Sequence, residues 1–215
     1  MKRILFQGDS ITDCCRSRED NNQLGTGYAF LVKAELGFEK PNQYEFYNRG
    51  VSGDRIVDVY ARMKSDIINL KPDYMSILIG VNDVWHDIDA NNGVDHEKFE
   101  KIYSMLIEEV KEALPELKIM ILEPFCLKGI ATDNNEMKPN KWNLFYGEVQ
   151  KRAIKAKAVA EKYNLAYVEL QDKFNELTEV AEDAYWLADG VHPTAMGHEM
   201  IKREWLKAFE KGLTE

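Results

Sequence analysis

The chain has 215 residues, 45% of them hydrophobic and 30% charged, and a formal net charge of −9. That balance supports one well-cored domain over residues 1–215 and excludes a disordered chain. The acidic surplus opposes a nucleic-acid partner, whose phosphates call for clustered Lys and Arg, and no run of 18 apolar residues offers a membrane span.

Met1-Lys2-Arg3 is followed by three apolar residues before Gln7, too few for a signal peptide, so a cytoplasmic location is expected. Short apolar runs then alternate with stretches of helical period, the pattern of an α/β fold with helices on both faces of a sheet. The first strand spans 3–7 and runs into Gly8-Asp9-Ser10, which places Ser10 at the carboxyl end of a strand, where open α/β sheets hold ligands. Asp and Ser are also ordinary turn and N-cap residues, so the tripeptide alone leaves a structural role open.

A helix over about 28–36 precedes a strand over 44–47, and Asn48-Arg49-Gly50-Val51-Ser52-Gly53 leads into a helix over about 54–64. A strand over 74–79 ends at Gly80-Val81-Asn82-Asp83. A helix over about 96–114 has an apolar stripe of Ile102, Leu106, Val110 and Leu114, and its charged Glu108-Glu109 and Lys111-Glu112 read as the wet face. After a strand over 118–122, residues 127–140 are polar and aperiodic; such a long loop either covers a substrate site or forms a mobile excursion. A helix over about 141–163, a strand over 166–168 and a helix over about 194–211 complete the chain, giving five strands for a parallel sheet.

Asp189-Gly190-Val191-His192-Pro193 immediately precedes the last helix. A serine hydroxyl attacks a carbonyl only when a base accepts its proton, and that base needs its other nitrogen held by an acceptor; Asp189, His192 and Ser10 can fill these roles. The tetrahedral oxyanion needs donors, and the Ser10 and Gly53 amides and the Asn82 side chain are available, although each segment by itself also reads as a strand-to-helix turn.

Together these four segments resemble the blocks of the SGNH hydrolases, or GDSL-type esterases: Gly8 to Asp13, Asn48 to Gly53, Gly80 to Asp83, and Asp189 to Pro193. The resemblance implies a three-layer α/β/α, flavodoxin-like sandwich, with Ser10 as nucleophile and Asp189 and His192 completing a triad. It further implies an oxyanion hole of Ser10, Gly53 and Asn82. Ile11 stands where the family's nickname has Leu, an apolar change without chemical consequence. The longer reading through Cys14, with Gly25, Gly27 and Tyr28, is similar to the bacterial cytoplasmic branch that deacetylates xylan-derived sugars.

Asp9, Arg55, Trp85 and Trp186 are candidate substrate contacts, the tryptophans because aromatic faces suit sugar rings, though a core or rim position explains them equally. Arg55 also reads as a solvated helix-start residue, and His198 as a capping or surface histidine. His86 and His96 have no acid at a triad spacing. Cys14, Cys15 and Cys126 cannot all pair and match no zinc pattern, so reduced thiols, no metal and no other cofactor are expected. Cys14 or Cys15 as nucleophile would leave a better-placed serine idle.

The expected reaction is hydrolysis of O-acetyl groups from xylo-oligosaccharides, related acetylated sugars or other short-chain esters. Three alternatives stand beside it: a lysophospholipase or thioesterase with the same triad, a metal-dependent phosphoesterase using Asp9, Asp83, Asp189 and His192, and a noncatalytic sugar- or flavin-binding module. The aromatic content is compatible with a homo-oligomer.

Overall fold

A computed structural model describes residues 1–212. Five strands, β1 (Lys2–Gly8), β2 (Tyr44–Asn48), β3 (Tyr74–Leu78), β4 (Lys118–Leu122) and β5 (Ala166–Val168), form one sheet in the order β2-β1-β3-β4-β5, every pair parallel. Successive strand residues point to opposite faces, and here each face has its own core. Ile4, Phe6, Leu78, Met120 and Leu122 pack into one, whereas Leu5, Met75, Ile77, Ile119 and Ile121 pack into the other. Strands buried on both faces carry near-continuous apolar runs, which made them readable from sequence.

The first core is covered by α2 (Tyr28–Glu39) and α9 (Ala195–Gly212), where Phe6 lies between Tyr28 and Trp205 at ring-centroid distances of 5.7 and 5.5 Å. The second is covered by α3 (Ile56–Ala61), α5 (His96–Ala113) and the C-terminal half of α6 (Lys141–Lys162). Helices on both faces make three layers, the expected α/β/α sandwich. Asp95 starts α5 by accepting from the Lys98 N–H. The buried face of α5 runs through Phe99, Tyr103, Leu106, Ile107 and Val110. Ile102 and Leu114, expected on that stripe, sit at its margin and are only partly buried.

Four helices were not anticipated: α1 (Ser10–Asp13), α4 (Val81–Ala90), α7 (Gln171–Thr178) and α8 (Asp183–Trp186). The helix expected over 54–64 is instead α3 followed by one π turn at Lys64–Ile68. β1 sends the chain to one neighbour, β2, and β2 returns it across to β3. The carboxyl ends of β1 and β3 therefore flank a topological switch point, where this architecture opens a crevice.

Candidate active site

Ser10 is the first residue of α1, directly past β1. A Cβ on Gly8 would stand 2.3 Å from the Leu78 carbonyl oxygen and 2.5 Å from Thr12 Oγ1, so the sharp strand-to-helix turn requires glycine there. Asp9 caps α1 by accepting from the Ile11 N–H at 3.0 Å, which leaves the Ser10 N–H among those a helix start does not use.

Asp189 and His192 come from a loop with no preceding strand. The Asp189 carboxylate accepts from the Val191 and His192 N–H groups through Oδ1, at 2.9 and 2.8 Å, and lies 2.7 Å from His192 Nδ1 through Oδ2. His192 Nε2 is 2.9 Å from Ser10 Oγ. With Nδ1–H donating to Asp189, Nε2 is left to accept the Ser10 hydroxyl. Burial works to raise the Asp189 pKa, but the bonds from His192 and Val191 outweigh it and hold the carboxylate at about 2. The hydrogen bond to Asp189 in turn raises His192 above its ordinary value.

A cleft of about 320 Å³ opens over these groups, lined by Ser10, Ser52, Gly53, Asn82, Trp85, His86, Asp89, Ala90 and His192. The structure thus brings Ser10, His192, Gly53, Asn82 and Trp85 together. Gly53 has φ +89°, and a Cβ built on it would meet nothing within 4 Å. Asn82 lies in the first turn of α4, not in a loop, and its Nδ2 donates to the Asp54 carbonyl at 3.1 Å. One hydrogen of that amide stays available for a ligand. The Trp85 ring sits 5.8 Å from the His192 ring, with its Nε1–H donating to Asp89 at 2.8 Å.

Three of the candidate substrate contacts lie elsewhere. Asp9 is 1% exposed beneath Ser10, and burial pushes its carboxyl up to about 7. Arg55 is neither solvated nor in the cleft: it grips Asp58 and the backbone and side chain of Asn92. Trp186 lines a separate groove with Leu177, Met196 and Met200. His198 is buried rather than superficial and caps a distant helix, its Nδ1 accepting from the Tyr28 N–H at 3.1 Å. Burial lowers its pKa to about 4, so it stays neutral.

Asp83 is turned away from the cleft and accepts from the Ile56 N–H, and among the described residues no three His, Cys, Asp or Glu side chains are grouped to hold a metal. That removes the shared ligand set on which the phosphoesterase alternative rested. No described helix is long and apolar enough to cross a membrane.

The loop over 127–140 neither covers the cleft nor hangs free of the fold. It runs behind the Asp189 turn, with the Leu127 N–H donating to the Gly190 carbonyl and the Ala131 N–H to the Asp189 carbonyl, both at 2.9 Å. At its far end Lys138 Nζ donates to Asp89 and to the Ile88 carbonyl, beside the cleft wall. Sequence reasoning missed Ser52, His86, Asp89 and Ala90 as lining residues. Reading 81–90 as a helix would have found the last three, which share a face with Trp85 at spacings of one, four and five residues.

Residues 6–200 match the GDSL-like lipase/acylhydrolase family. The chain is 35% identical to the acetylxylan esterase of Geobacillus stearothermophilus over 96% of its own length and 93% of that protein. Among solved structures, that acetylxylan esterase superposes with a TM-score of 0.83 at 31% identity, covering 100% of this chain and 96% of the other. Its structures include catalytic mutants in which a serine, an aspartate or a histidine is replaced by alanine. A Parabacteroides merdae protein assigned provisionally as a GDSL-like lipase superposes at 0.88 with 35% identity, covering 99% and 96%. The chain therefore belongs to the GDSL-like lipase/acylhydrolase family and is a serine esterase.

Proposed function

We propose that this esterase removes O-acetyl groups from xylo-oligosaccharides or related acetylated sugars through a covalent acyl-enzyme, with Ser10 as nucleophile, His192 as base and Asp189 as its orienting partner. The carrying observation is the unbroken chain from Ser10 Oγ to His192 to Asp189, at 2.9 and 2.7 Å, with Ser10 and His192 lining the cleft.

His192 takes the Ser10 proton as Oγ attacks the acetyl carbonyl. Negative charge develops on the carbonyl oxygen, where the Ser10 and Gly53 N–H groups and the free hydrogen of Asn82 Nδ2 act as donors, each contributing about 3 kcal/mol in the transition state. The oxyanion collapses, His192 returns the proton to the departing sugar oxygen, and an acetyl-serine remains. Water, deprotonated by His192, then attacks that ester, and His192 returns the proton to Ser10 Oγ as acetate leaves.

The lining of the cleft supports a small acyl group and a polar alcohol. Its apolar side chains are Trp85 and Ala90 and no large aliphatic residue among those described lines it, whereas a long acyl chain calls for an extended aliphatic wall. Trp85 is the candidate platform for a sugar ring, and the acetylxylan esterase relative points to the same substrate class.

Acetate release from peracetylated xylose by the wild type and by Ser10→Ala, beside p-nitrophenyl acetate and p-nitrophenyl decanoate, tests the reading. Serine-dependent release from the sugar is expected. Serine-dependent cleavage of decanoate alone would move the enzyme to lipid or thioester substrates.

A further inference from the structure

Gly53 is a poor anchor for a hydrogen-bond donor that must point one way. Glycine is the most conformationally free residue, and nothing packs where its side chain would be. Its direction is set by the turn that contains it. The Asp54 N–H donates to the Val51 carbonyl at 3.1 Å, closing a four-residue turn with Ser52 and Gly53 at its centre. Gly53 has φ +89° and Ser52 is not among the residues with positive φ, which makes this a type II turn. Types I and II differ by rotation of the central peptide through about half a turn. Here that peptide is Ser52–Gly53, so the turn type decides whether the Gly53 N–H faces the cleft or away from it.

We propose that Asp13 is the positioning residue for this turn: by gripping the Ser52 N–H and hydroxyl it anchors the first corner of the turn, and the Val51–Asp54 bond and the positive φ of Gly53 then present the Gly53 N–H to the oxyanion. Asp13 ends α1, four residues past Asp9, with its N–H bonded to the Asp9 carbonyl at 2.8 Å. Its Oδ2 accepts from both the Ser52 N–H and the Ser52 hydroxyl, each at 3.0 Å. The Asp13 side chain is 5% exposed and is clamped from outside by Arg18, whose two terminal nitrogens donate one to each carboxylate oxygen.

The helix that begins with Ser10 therefore ends on the residue holding the oxyanion turn, so nucleophile and donor share one rigid element. On the turn's other side, Asn82 Nδ2 holds the Asp54 carbonyl. Arg18 also neutralises a carboxylate that would otherwise oppose negative charge developing nearby.

This inference rests on the proposed esterase mechanism and is tested in the full chain with p-nitrophenyl acetate. Asp13→Ala is expected to lower kcat by roughly 10-fold to 100-fold with KM within about twofold, because an oxyanion donor acts only in the transition state. The inhibition constant of phenylboronic acid, which forms a tetrahedral adduct on a serine, should rise by a similar factor. Asp13→Asn keeps an oxygen for the Ser52 N–H and should recover most of kcat.

A kcat within twofold of wild type for Asp13→Ala, or a rise in KM alone, would overturn the proposal. Should Asp13→Ala fail to fold, Ser52→Ala removes one bond to Asp13 and Arg18→Gln removes two, each from a more exposed side chain. Each is then expected to lower kcat by about threefold, and unchanged kcat in both overturns it. Ser10→Ala separates the two ideas: activity surviving that change defeats the mechanism, whereas its loss beside indifferent Asp13 variants defeats only the positioning role.

Discussion

The cleft is assembled from two halves that are held in different ways. Ser10, Gly53 and Asn82 follow β1, β2 and β3, so the register of three adjacent strands sets their spacing before any side chain acts. Asp189 and His192 follow no strand: α7 and α8 separate them from β5, and the turn that carries them is closed by the Leu187–Pro193 bridge and the Ala188 N–H to His192 carbonyl bond. Its outer support is the loop over 127–140. A sheet tolerates local change around its catalytic turns, whereas a braced loop transmits any disturbance of its brace. The Asp189–His192 half should therefore respond to substitutions in its bracing loop, and the Ser10 half to substitutions in its own turns and the side chains that grip them.

The largest effect is expected within the loop half. Asp189→Asn removes the acceptor that fixes the His192 tautomer, and kcat for p-nitrophenyl acetate should fall by about 10³-fold to 10⁴-fold with the fold intact by circular dichroism. A loss below tenfold would show that the loop positions His192 without its carboxylate.

In the sheet half, Gly53→Ala places a Cβ in open space but forces φ +89° on a residue that disfavours it. Kinetic measurement should show kcat lowered by roughly 10-fold to 100-fold with little change in melting temperature. A large stability loss with normal kcat would mean that the turn serves folding alone.

Gly129→Ala tests the brace from outside the cleft. The new Cβ would stand 2.2 Å from the Asp189 carbonyl carbon and 2.3 Å from its oxygen, so the two loops must separate. Activity should fall by about tenfold, with a stability loss of roughly 1–3 kcal/mol by urea titration. Full activity would show that the base-bearing loop is rigid by itself and would erase the contrast between the halves.

The smallest effects are pH-dependent. In the proposed mechanism His192 works as neutral imidazole, so activity is lost as pH falls through its raised pKa, placing the acid limb above 6.5; a limb below that value would contradict the Asp189 bond as its cause. Asp9 behaves oppositely toward stability. Its folded pKa of about 7 exceeds the ordinary 3.8, so the unfolded chain releases that proton first and stability declines as pH rises from about 4 to 7. Asp9→Asn should flatten that decline by up to about 3 kcal/mol in urea titrations at the two ends of the range.

The strands were legible because a sheet buried on both faces writes apolar runs: 118–122 and 166–168 match β4 and β5 residue for residue. The motif residues Ser10, Gly53, Asn82, Asp189 and His192 were legible because each sits at a turn of unusual composition. What was hidden depends on tertiary contact. Helix α4 begins at the motif itself, its Gly80 resembling a loop residue, and so Asp89 and Ala90 went unnoticed. Arg55 looked free until Asp58 and Asn92 were seen to occupy it, and Trp186 shares a chain segment with Asp189 while facing another groove. The partners of His198, the Tyr28 N–H and the Cys14 thiol, lie 170 and 184 residues away, beyond any local pattern.

In the proposed mechanism the strand-held serine and the loop-held histidine act as one nucleophilic pair, and labelling by a fluorophosphonate with peptide mass mapping reads out that pairing. A single adduct on Ser10 is predicted, formed at near-neutral pH, slowed at least a hundredfold in His192→Ala and absent in Ser10→Ala. An adduct at any other residue, or labelling of Ser10 that His192→Ala leaves at full rate, would contradict it.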